Sequence, residues 1–482
     1  MNYGLEPCLL IDGQWRETVR REPSINPSDL SDTIGTYCWA DSSHVEEAIA
    51  AARGAQMSWG RSNVQMRADL LLRVANSIYA HADTLAELLA REEGKIRKDA
   101  RGEVIRTGQI FHFYSGETVR RTGGFFPSVR DGFNIVVEHE PVGIVALITP
   151  WNFPFATAAW KIAAALAYGN SILFKPSEFT PGCGAALTQI LVDAGVPAGV
   201  FNLLHGSGAE LGDALIDGTD AVSFTGSTPT GRRVLERAAP GMKKVQLELG
   251  GKSPLVVLDD ADLDQAVQVA LDGAFYQTGQ RCTASSRLIA TRGVHDAFVE
   301  KLTAKAQALR VGHPLAADSE IGPVATEAQL AKNLSYVEIA RSEGAELMCG
   351  GERIERPTEG YYLAPALFAG VTAKMRLAQE EVFGPVAAVL RADDLDEALA
   401  IANDSEFALS SAICTTSLSA AEKFRRRVRA GMVVVNAPTS GAEYHVPFGG
   451  RSPSGYGARE QGAATAEFFT ETKTAYINHG VI

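Results

Sequence analysis

No stretch of this sequence reaches the roughly 18 consecutive apolar residues that a membrane-spanning helix needs. The apolar run Val142 to Ile148, for example, is closed by Pro141 before it and by Thr149-Pro150 after it. There is no Cys-x-x-Cys pair and no Cys/His cluster at metal-ligand spacing; the six cysteines, Cys8, Cys38, Cys183, Cys282, Cys349 and Cys414, are scattered. An excess of basic residues is also missing. With 45 Lys and Arg against 57 Asp and Glu, the formal net charge is -12, which argues against nucleic acid and anionic membrane surfaces, because both demand clustered cations. The N-terminal region is apolar only at Leu9-Leu10-Ile11, not the pattern of a secretory signal. Together these absences point to a reducing cytoplasm, with no disulfide framework and no metal site.

What is present is an ordinary globular composition, 46% hydrophobic and 21% charged over 482 residues. That length exceeds what one hydrophobic core supports, so two or more lobes are expected. Short strands and turns fill the chain to about Asp41, including Cys8 to Ile11 before Asp12-Gly13. Ser42-Ser43 then offers an N-cap for a helix over His44 to Trp59. An amphipathic pattern runs from Val64 to Arg91, with Leu70, Leu71, Val74, Ile78, Leu85, Leu88 and Leu89 on one face. The near-alternating run Ile135 to Glu140 predicts a strand that leaves the main body or borders another subunit.

From Val142 the rhythm becomes strand, turn, helix, repeated. Strands are predicted at Gly143 to Ile148, Ser171 to Lys175, Val200 to Leu204, Ala221 to Phe224, Val245 to Leu249 and Pro254 to Leu258. Helices fit Thr157 to Tyr168, Ala185 to Ala194, Ala209 to Ile216 and Pro229 to Ala239 between the first five. Such alternation means an α/β fold, a mostly parallel sheet covered on both faces, with ligands at the carboxyl ends of the strands. A cofactor site is therefore expected at the loops after Ile148, Lys175, Leu204 and Phe224. A second α/β unit follows, with helices at Val294 to Leu309, Leu395 to Asn403 and Ser419 to Ala430, and strands near Val386 to Leu390, Ala412 to Thr415 and Met432 to Asn436. With no tandem repeat and no low-complexity linker, the chain is expected to re-enter its first domain.

One cysteine stands apart. Cys282 lies in Gly279-Gln280-Arg281-Cys282-Thr283-Ala284-Ser285-Ser286-Arg287, between a predicted helix over Asp262 to Gln277 and a strand-like run Leu288 to Ala290. At such a boundary, among small and polar residues, a thiol can be exposed and reactive rather than packed in a core.

Ahead of it lie Pro150-Trp151-Asn152-Phe153-Pro154, Lys175-Pro176-Ser177-Glu178, Phe224-Thr225-Gly226-Ser227 and Glu248-Leu249-Gly250-Gly251-Lys252. Behind it lie Glu380-Glu381-Val382-Phe383-Gly384-Pro385 and Pro447-Phe448-Gly449-Gly450. In this order and at these separations the blocks resemble the aldehyde dehydrogenase superfamily over essentially the whole chain. The resemblance implies a Rossmann-type cofactor domain over 1-121 and 139-249, a catalytic domain over 250-449, and a small β oligomerisation arm from 122-138 and 464-482. It implies a homodimer or homotetramer that oxidises a small-molecule aldehyde to the acid.

The same resemblance assigns roles at matching positions. Cys282 would be the nucleophile, the Asn152 side-chain amide with the Cys282 backbone N–H would hold the oxyanion, and Glu248 would be the base that activates water. A Glu between Leu247 and Leu249 at a strand end is unusual for a buried sheet, which makes a pKa near neutrality plausible. For the cofactor, Gly226 and Ser227 at a helix start would hold the pyrophosphate. Lys175 and Glu178 match the adenosine-ribose positions and Glu381 the nicotinamide-ribose position, with Phe383 beside the ring; Thr149, Trp151, Ser177 and Leu249 complete the set. Gly208, in Gly206-Ser207-Gly208-Ala209-Glu210-Leu211-Gly212, belongs to a glycine-rich turn that alone is weak evidence for a dinucleotide. Glu178 favours NAD, because a carboxylate repels the 2'-phosphate of NADP, although NADP stays possible.

Two further features narrow the branch: Gly102-Glu103-Val104-Ile105-Arg106-Thr107-Gly108-Gln109-Ile110-Phe111 followed by Pro127-Ser128-Val129-Arg130, and Tyr444-His445-Val446-Pro447-Phe448-Gly449-Gly450-Arg451 with Arg459-Glu460-Gln461-Gly462. They look like the bacterial α-ketoglutaric semialdehyde (2,5-dioxopentanoate) dehydrogenases. A substrate that ends in carboxylate wants an arginine at the far end of its tunnel, and Arg120 is the candidate, with a solvated helix end or a subunit contact as the alternative. Succinic semialdehyde, aromatic and aliphatic aldehydes stay open as substrates. So do an acylating enzyme that passes the thioester to coenzyme A, which Glu248 disfavours, and a non-catalytic relative, which would lack nucleophile or base.

Overall fold

The computed structural model describes residues 8–120 and 123–480. The expected boundaries at residues 1, 121, 122 and 482 lie outside the described residues.

The first sheet has eight strands, in the order Gly455–Tyr456, Lys244–Glu248, Ala221–Thr225, Ile144–Ile148, Ser171–Lys175, Phe201–Leu203, Leu9–Ile11 and Gln14–Arg16. The five from Lys244–Glu248 to Phe201–Leu203 are parallel. Their near-continuous Val, Ile, Leu and Phe content follows from helices covering both faces. The chain leaves Ile144–Ile148 in one direction and returns to its other side at Ala221–Thr225. Doubly wound sheets hold ligands at such a reversal, outside the carboxyl ends of the strands. Here the register puts Ile148 opposite Lys175 and Thr225 opposite Glu248, so those ends form one rim.

The second sheet has seven strands, in the order Glu346–Cys349, Ala366–Ala369, Val386–Ala392, Arg287–Thr291, Pro254–Val257, Ser410–Cys414 and Met432–Val435. Thr470–Asn478, Phe133–Pro141 and Gly124–Pro127 form a separate antiparallel sheet, so the strand expected over Ile135 to Glu140 does leave the main body. The re-entry also occurs: Tyr456 pairs with Leu247 and Gly455 with Glu248. Among the described residues no helix is long and apolar enough to cross a membrane.

Several expected elements differ. The pattern from Val64 to Arg91 is two helices, Val64–Ala80 and Ala82–Glu93. His81 leaves the helical region (φ -111°, ψ 17°) while its N–H still donates to the Ser77 carbonyl, so one residue breaks the rod without breaking its apolar stripe. Asp41, not Ser42 or Ser43, caps the helix Ser42–Gly60, accepting from the Ser43 and His44 N–H groups. The helix expected to Gln277 ends at Ala274.

Sequence reading omitted the helices Arg97–Glu117 and Glu327–Ser342 and the strands Glu346–Cys349 and Ala366–Ala369. Arg97–Glu117 contains Gly102, Gly108 and Gly116, each costing about 1 kcal/mol in a helix interior. Tertiary packing overrides that cost. A Cβ on Gly108 would sit 2.4 Å from the Tyr79 ring, so the glycine is what lets the helices cross.

Candidate active site

Glu248 ends the strand Lys244–Glu248 and is 4% exposed. Burial, reinforced by the charge of Glu460, lifts its carboxyl well above the usual carboxylate range, against the pull of Lys161 and Arg459. Its Oε2 accepts from the Gly450 N–H at 3.4 Å. At Gly449, held at φ +144°, a Cβ would lie 2.2 Å from Oε1, so glycine is what admits the carboxylate. Behind it Lys161 is ion-paired with Glu460 and donates to Ser223 Oγ at 2.7 Å, all of it buried.

Cys282 follows a strained turn. Gln277 (φ 53°), Thr278 (φ 57°) and Gly279 (φ 63°) are consecutive left-handed residues, a conformation that costs non-glycine residues about 1–3 kcal/mol each. Contacts hold it: Thr278 Oγ1 donates to the Gly322 carbonyl at 3.1 Å, and Gln280 Oε1 accepts from the Ala325 N–H at 2.9 Å. Arg281 donates to the carbonyls of Asp272 and Gly273 at the end of helix Leu263–Ala274. A Cβ on Gly251 would lie 2.3 Å from the Cys282 carbonyl oxygen, so the turn after Glu248 approaches the cysteine only because glycine stands there. Burial first, then the charges of Glu381 and Glu248, push the Cys282 thiol up to about 12, opposed by the N–H groups of Cys282 and Thr283. The resting sulfur is a thiol that needs a base.

Asn152 is buried, and its Nδ2 donates to the Gln280 carbonyl at 3.0 Å, which ties it to the cysteine loop. Its own carbonyl accepts from Lys95 Nζ at 2.7 Å. Lys95 is paired with Glu103 at 2.6 Å and lies 4.1 Å from the centre of the Phe153 ring. Glu103 Oε1 accepts from the N–H groups of Phe155 and Ala156, where the next helix starts, at 3.0 and 3.1 Å. A fully satisfied buried ion pair therefore clamps the loop that carries the amide.

Cys282, Glu248 and Asn152 line one cavity of about 640 Å³. Trp151, Gly226, Ser227, Leu249, Glu381 and Phe383 line it too, with the Trp151 and Phe383 rings edge to face at 5.5 Å. Ser227 caps the helix Thr228–Ala238, so an N-terminus opens here. Glu381 Oε1 accepts from the Gly251 N–H at 2.8 Å. A larger hollow of about 930 Å³, around Lys244, Tyr456 and Glu467, contains none of these groups.

Other expected residues lie outside the cavity lining. Lys175 Nζ pairs with Glu178 at 3.0 Å, Ser177 Oγ accepts from the Phe179 N–H, and the Thr149 N–H donates to the Lys175 carbonyl, all along the same rim. Gly208 begins the helix Gly208–Gly218, and a Cβ there would meet nothing, whereas one on Gly206 would lie 2.4 Å from Leu211; packing accounts for the first glycine of that segment. Arg120 is 70% exposed and, in the turn after the helix Arg97–Glu117, pairs with Glu117 at 3.2 Å. It does not reach the cavity, because the helix that contributes Arg106 to the cavity has run on roughly 16 Å by Glu117, at 1.5 Å per residue.

Sequence reading assigned no role to Lys95, Glu103, Lys161 or Glu460. Lys161 carried a signal, being the one charge in the helix Ala156–Ala167. Lys95 and Glu103 carried none, because an ion pair between separate segments leaves no local pattern.

Comparison with known proteins adds the following. Residues 15–475 match the model described as "Aldehyde dehydrogenase family". The α-ketoglutaric semialdehyde dehydrogenase of Bacillus subtilis (strain 168) is 40% identical over 476 residues, covering 97% of each chain. The 2,5-dioxopentanoate dehydrogenase of Saccharolobus solfataricus is 40% identical over 457 residues, 94% of this chain and 95% of that one. A crystal structure of betaine aldehyde dehydrogenase from Staphylococcus aureus in complex with NAD+ superposes with a TM-score of 0.96 at 33% identity, over 99% of this chain and 96% of that one.

Proposed function

The chain belongs to the aldehyde dehydrogenase family, and from that premise we propose that it oxidises α-ketoglutaric semialdehyde to the dicarboxylate, with NAD as hydride acceptor. The convergence of the Cys282 thiol, the Glu248 carboxyl and the Asn152 amide on one cavity carries the reading. The substrate is taken from the relatives of that name at 40% identity.

The buried hydroxyls of Thr149, Thr225 and Thr228, with no hydrogen-bond partner among the described residues, stand along the strand rim and the helix start beside Gly226 and Ser227. Unpaired donors at a helix N-terminus suit a pyrophosphate and its riboses. Gly226 and Ser227 would hold the pyrophosphate, Trp151, Leu249, Glu381 and Phe383 the nicotinamide half, and Thr149, Lys175, Ser177, Glu178 and Gly208 the adenosine half. The Glu178 carboxylate favours NAD, and NADP is tolerated. Held by these residues, a nicotinamide would supply the hydride acceptor.

Glu248, whose carboxyl burial lifts above the usual carboxylate range, takes the thiol proton in its deprotonated form. The sulfur adds to the aldehyde carbon, and the oxygen becomes an oxyanion held by Asn152 Nδ2 and the Cys282 N–H. Loss of one such donor costs about 10²-fold or more in rate. Departure of the hydride leaves a thioester on Cys282. Glu248 releases the thiol proton to solvent and then takes a proton from the water that attacks the thioester; the C–S bond breaks, the proton passes from Glu248 to the Cys282 sulfur, and the acid leaves. The balance is aldehyde, NAD+ and water to acid, NADH and a proton.

We assign 139-249 with residues up to 121 to the cofactor domain and 250-449 to the catalytic domain. The arm of 122-138 and 464-482 is assigned to a homodimer or homotetramer, supported by Phe125, Phe126 and Tyr476, which are 68%, 51% and 60% exposed on it. The test is NADH formation from α-ketoglutaric semialdehyde, succinic semialdehyde, benzaldehyde and propanal by wild type and Cys282→Ala. Activity highest on the first substrate and abolished in the variant is expected. Turnover that survives in Cys282→Ala sinks the mechanism, and a preference for uncharged aldehydes sinks the substrate.

A further inference from the structure

One wall of the cavity is the helix Arg97–Glu117, which turns Lys98, Gly102 and Arg106 toward it, residues four apart and so on one face. A Cβ at Gly102 would meet nothing within 4 Å, so the face between the two cations is open. Of the acids on this wall, Glu103 is held by Lys95, while Asp99 feels the charges of Lys95, Arg281 and Lys98 but its Oδ2 has no hydrogen-bond partner among the described residues. Arg106 differs. It is half-buried, its guanidinium lies 5.4 Å from the centre of the Tyr444 ring, and among the described residues it makes no ion pair and no side-chain hydrogen bond.

A half-buried guanidinium with its fork unused, on the wall of the cavity that holds the nucleophile, is a site for a carboxylate. The aromatic face beneath it restricts its orientation. The two segments that mark the semialdehyde branch, Gly102 to Phe111 and Tyr444 to Arg451, meet at this contact. Arg120, the residue expected for the role, is turned away and already paired.

Resting on the substrate reading above, we propose that Arg106, stacked on Tyr444, binds the terminal carboxylate of the aldehyde acid and so sets the preference for charged over uncharged aldehydes.

The experiment measures KM and kcat by NADH absorbance for α-ketoglutaric semialdehyde and for pentanal, the uncharged aldehyde of equal chain length, with wild type, Arg106→Leu and Arg106→Lys. For the acid, Arg106→Leu is expected to raise KM about 30-fold, the worth of one charge-assisted pair, with a much smaller change in kcat. For pentanal, kcat/KM falls far less, and Arg106→Lys recovers part of the acid's loss. Should Arg106→Leu fail to fold, Arg106→Gln, which keeps a polar chain at a half-exposed position, supplies the same comparison. A wild type that prefers the acid and a variant that keeps the preference overturn this inference and leave the substrate reading intact. A wild type with no preference for the acid overturns both.

Discussion

Two buried lysine–glutamate pairs flank the cavity, and they differ in how completely they are satisfied. Under Asn152, Lys95 and Glu103 spend their polar atoms mainly on each other and on main chain, the Asn152 carbonyl on one side and the Phe155 and Ala156 N–H groups on the other, with the buried Glu93 carboxylate 3.9 Å from Lys95 Nζ. Under Glu248, Lys161 and Glu460 pair with each other and Ser223, but Glu460 Oε2 has no partner among the described residues, and its charge is felt by Glu248. The first pair fixes geometry and the second sets a proton affinity. Burial of a pair is by itself weak evidence for stability; what its atoms reach decides what it does.

The sharpest way to break this contrast is Lys95→Met, which leaves the Glu103 carboxylate buried and unpaired. A loss of about 3–5 kcal/mol is expected in denaturant unfolding, along with a lower kcat whose pH profile keeps its shape. A variant of near wild-type stability would mean that the clamp is not structural. Next in size, Glu248→Gln removes the proposed base but keeps the shape, and kcat should fall about 10²-fold or more. An undiminished steady-state rate would show that the second pair tunes a group the reaction does not use.

The smallest effect sharpens the contrast most. Glu460→Gln removes the neighbour that raises Glu248 more than Lys161 lowers it. Glu248 acts as a base only when deprotonated, so activity rises with pH through its folded pKa. Removal of Glu460 lowers that pKa, and the acid limb of kcat against pH should move to lower pH. An unmoved limb with reduced activity at every pH would make the two pairs equivalent.

Much of the fold was legible because it obeys local rules. Ser171 to Lys175 and Leu395 to Asn403 are as the periodicity predicts, and the strand–helix alternation places the rim. Cys282, Glu248 and Asn152 were legible only through blocks of sequence read in order. What stayed hidden is non-local. The break at His81 keeps the stripe, the left-handed run Gln277 to Gly279 is imposed by contacts from Gly322, Ala325 and Gly384, and Gly108 answers to Tyr79 on another helix. Arg120 and Arg106 show the same limit: a motif can mark a helix, but which of its cations faces the cavity depends on where that helix packs.

The pairing of Gly455 with Glu248 also bears on how the molecule comes to life. The strand that ends in Glu248 waits for a neighbour made late in synthesis, so contacts of very long sequence separation must close before that edge is complete. Such topology folds slowly and leaves a strand edge bare in the meantime. On a ribosome, residues up to 249 would therefore emerge as an unfinished sheet that needs protection from aggregation, and aldehyde oxidation should begin only after the C-terminal segment has been released.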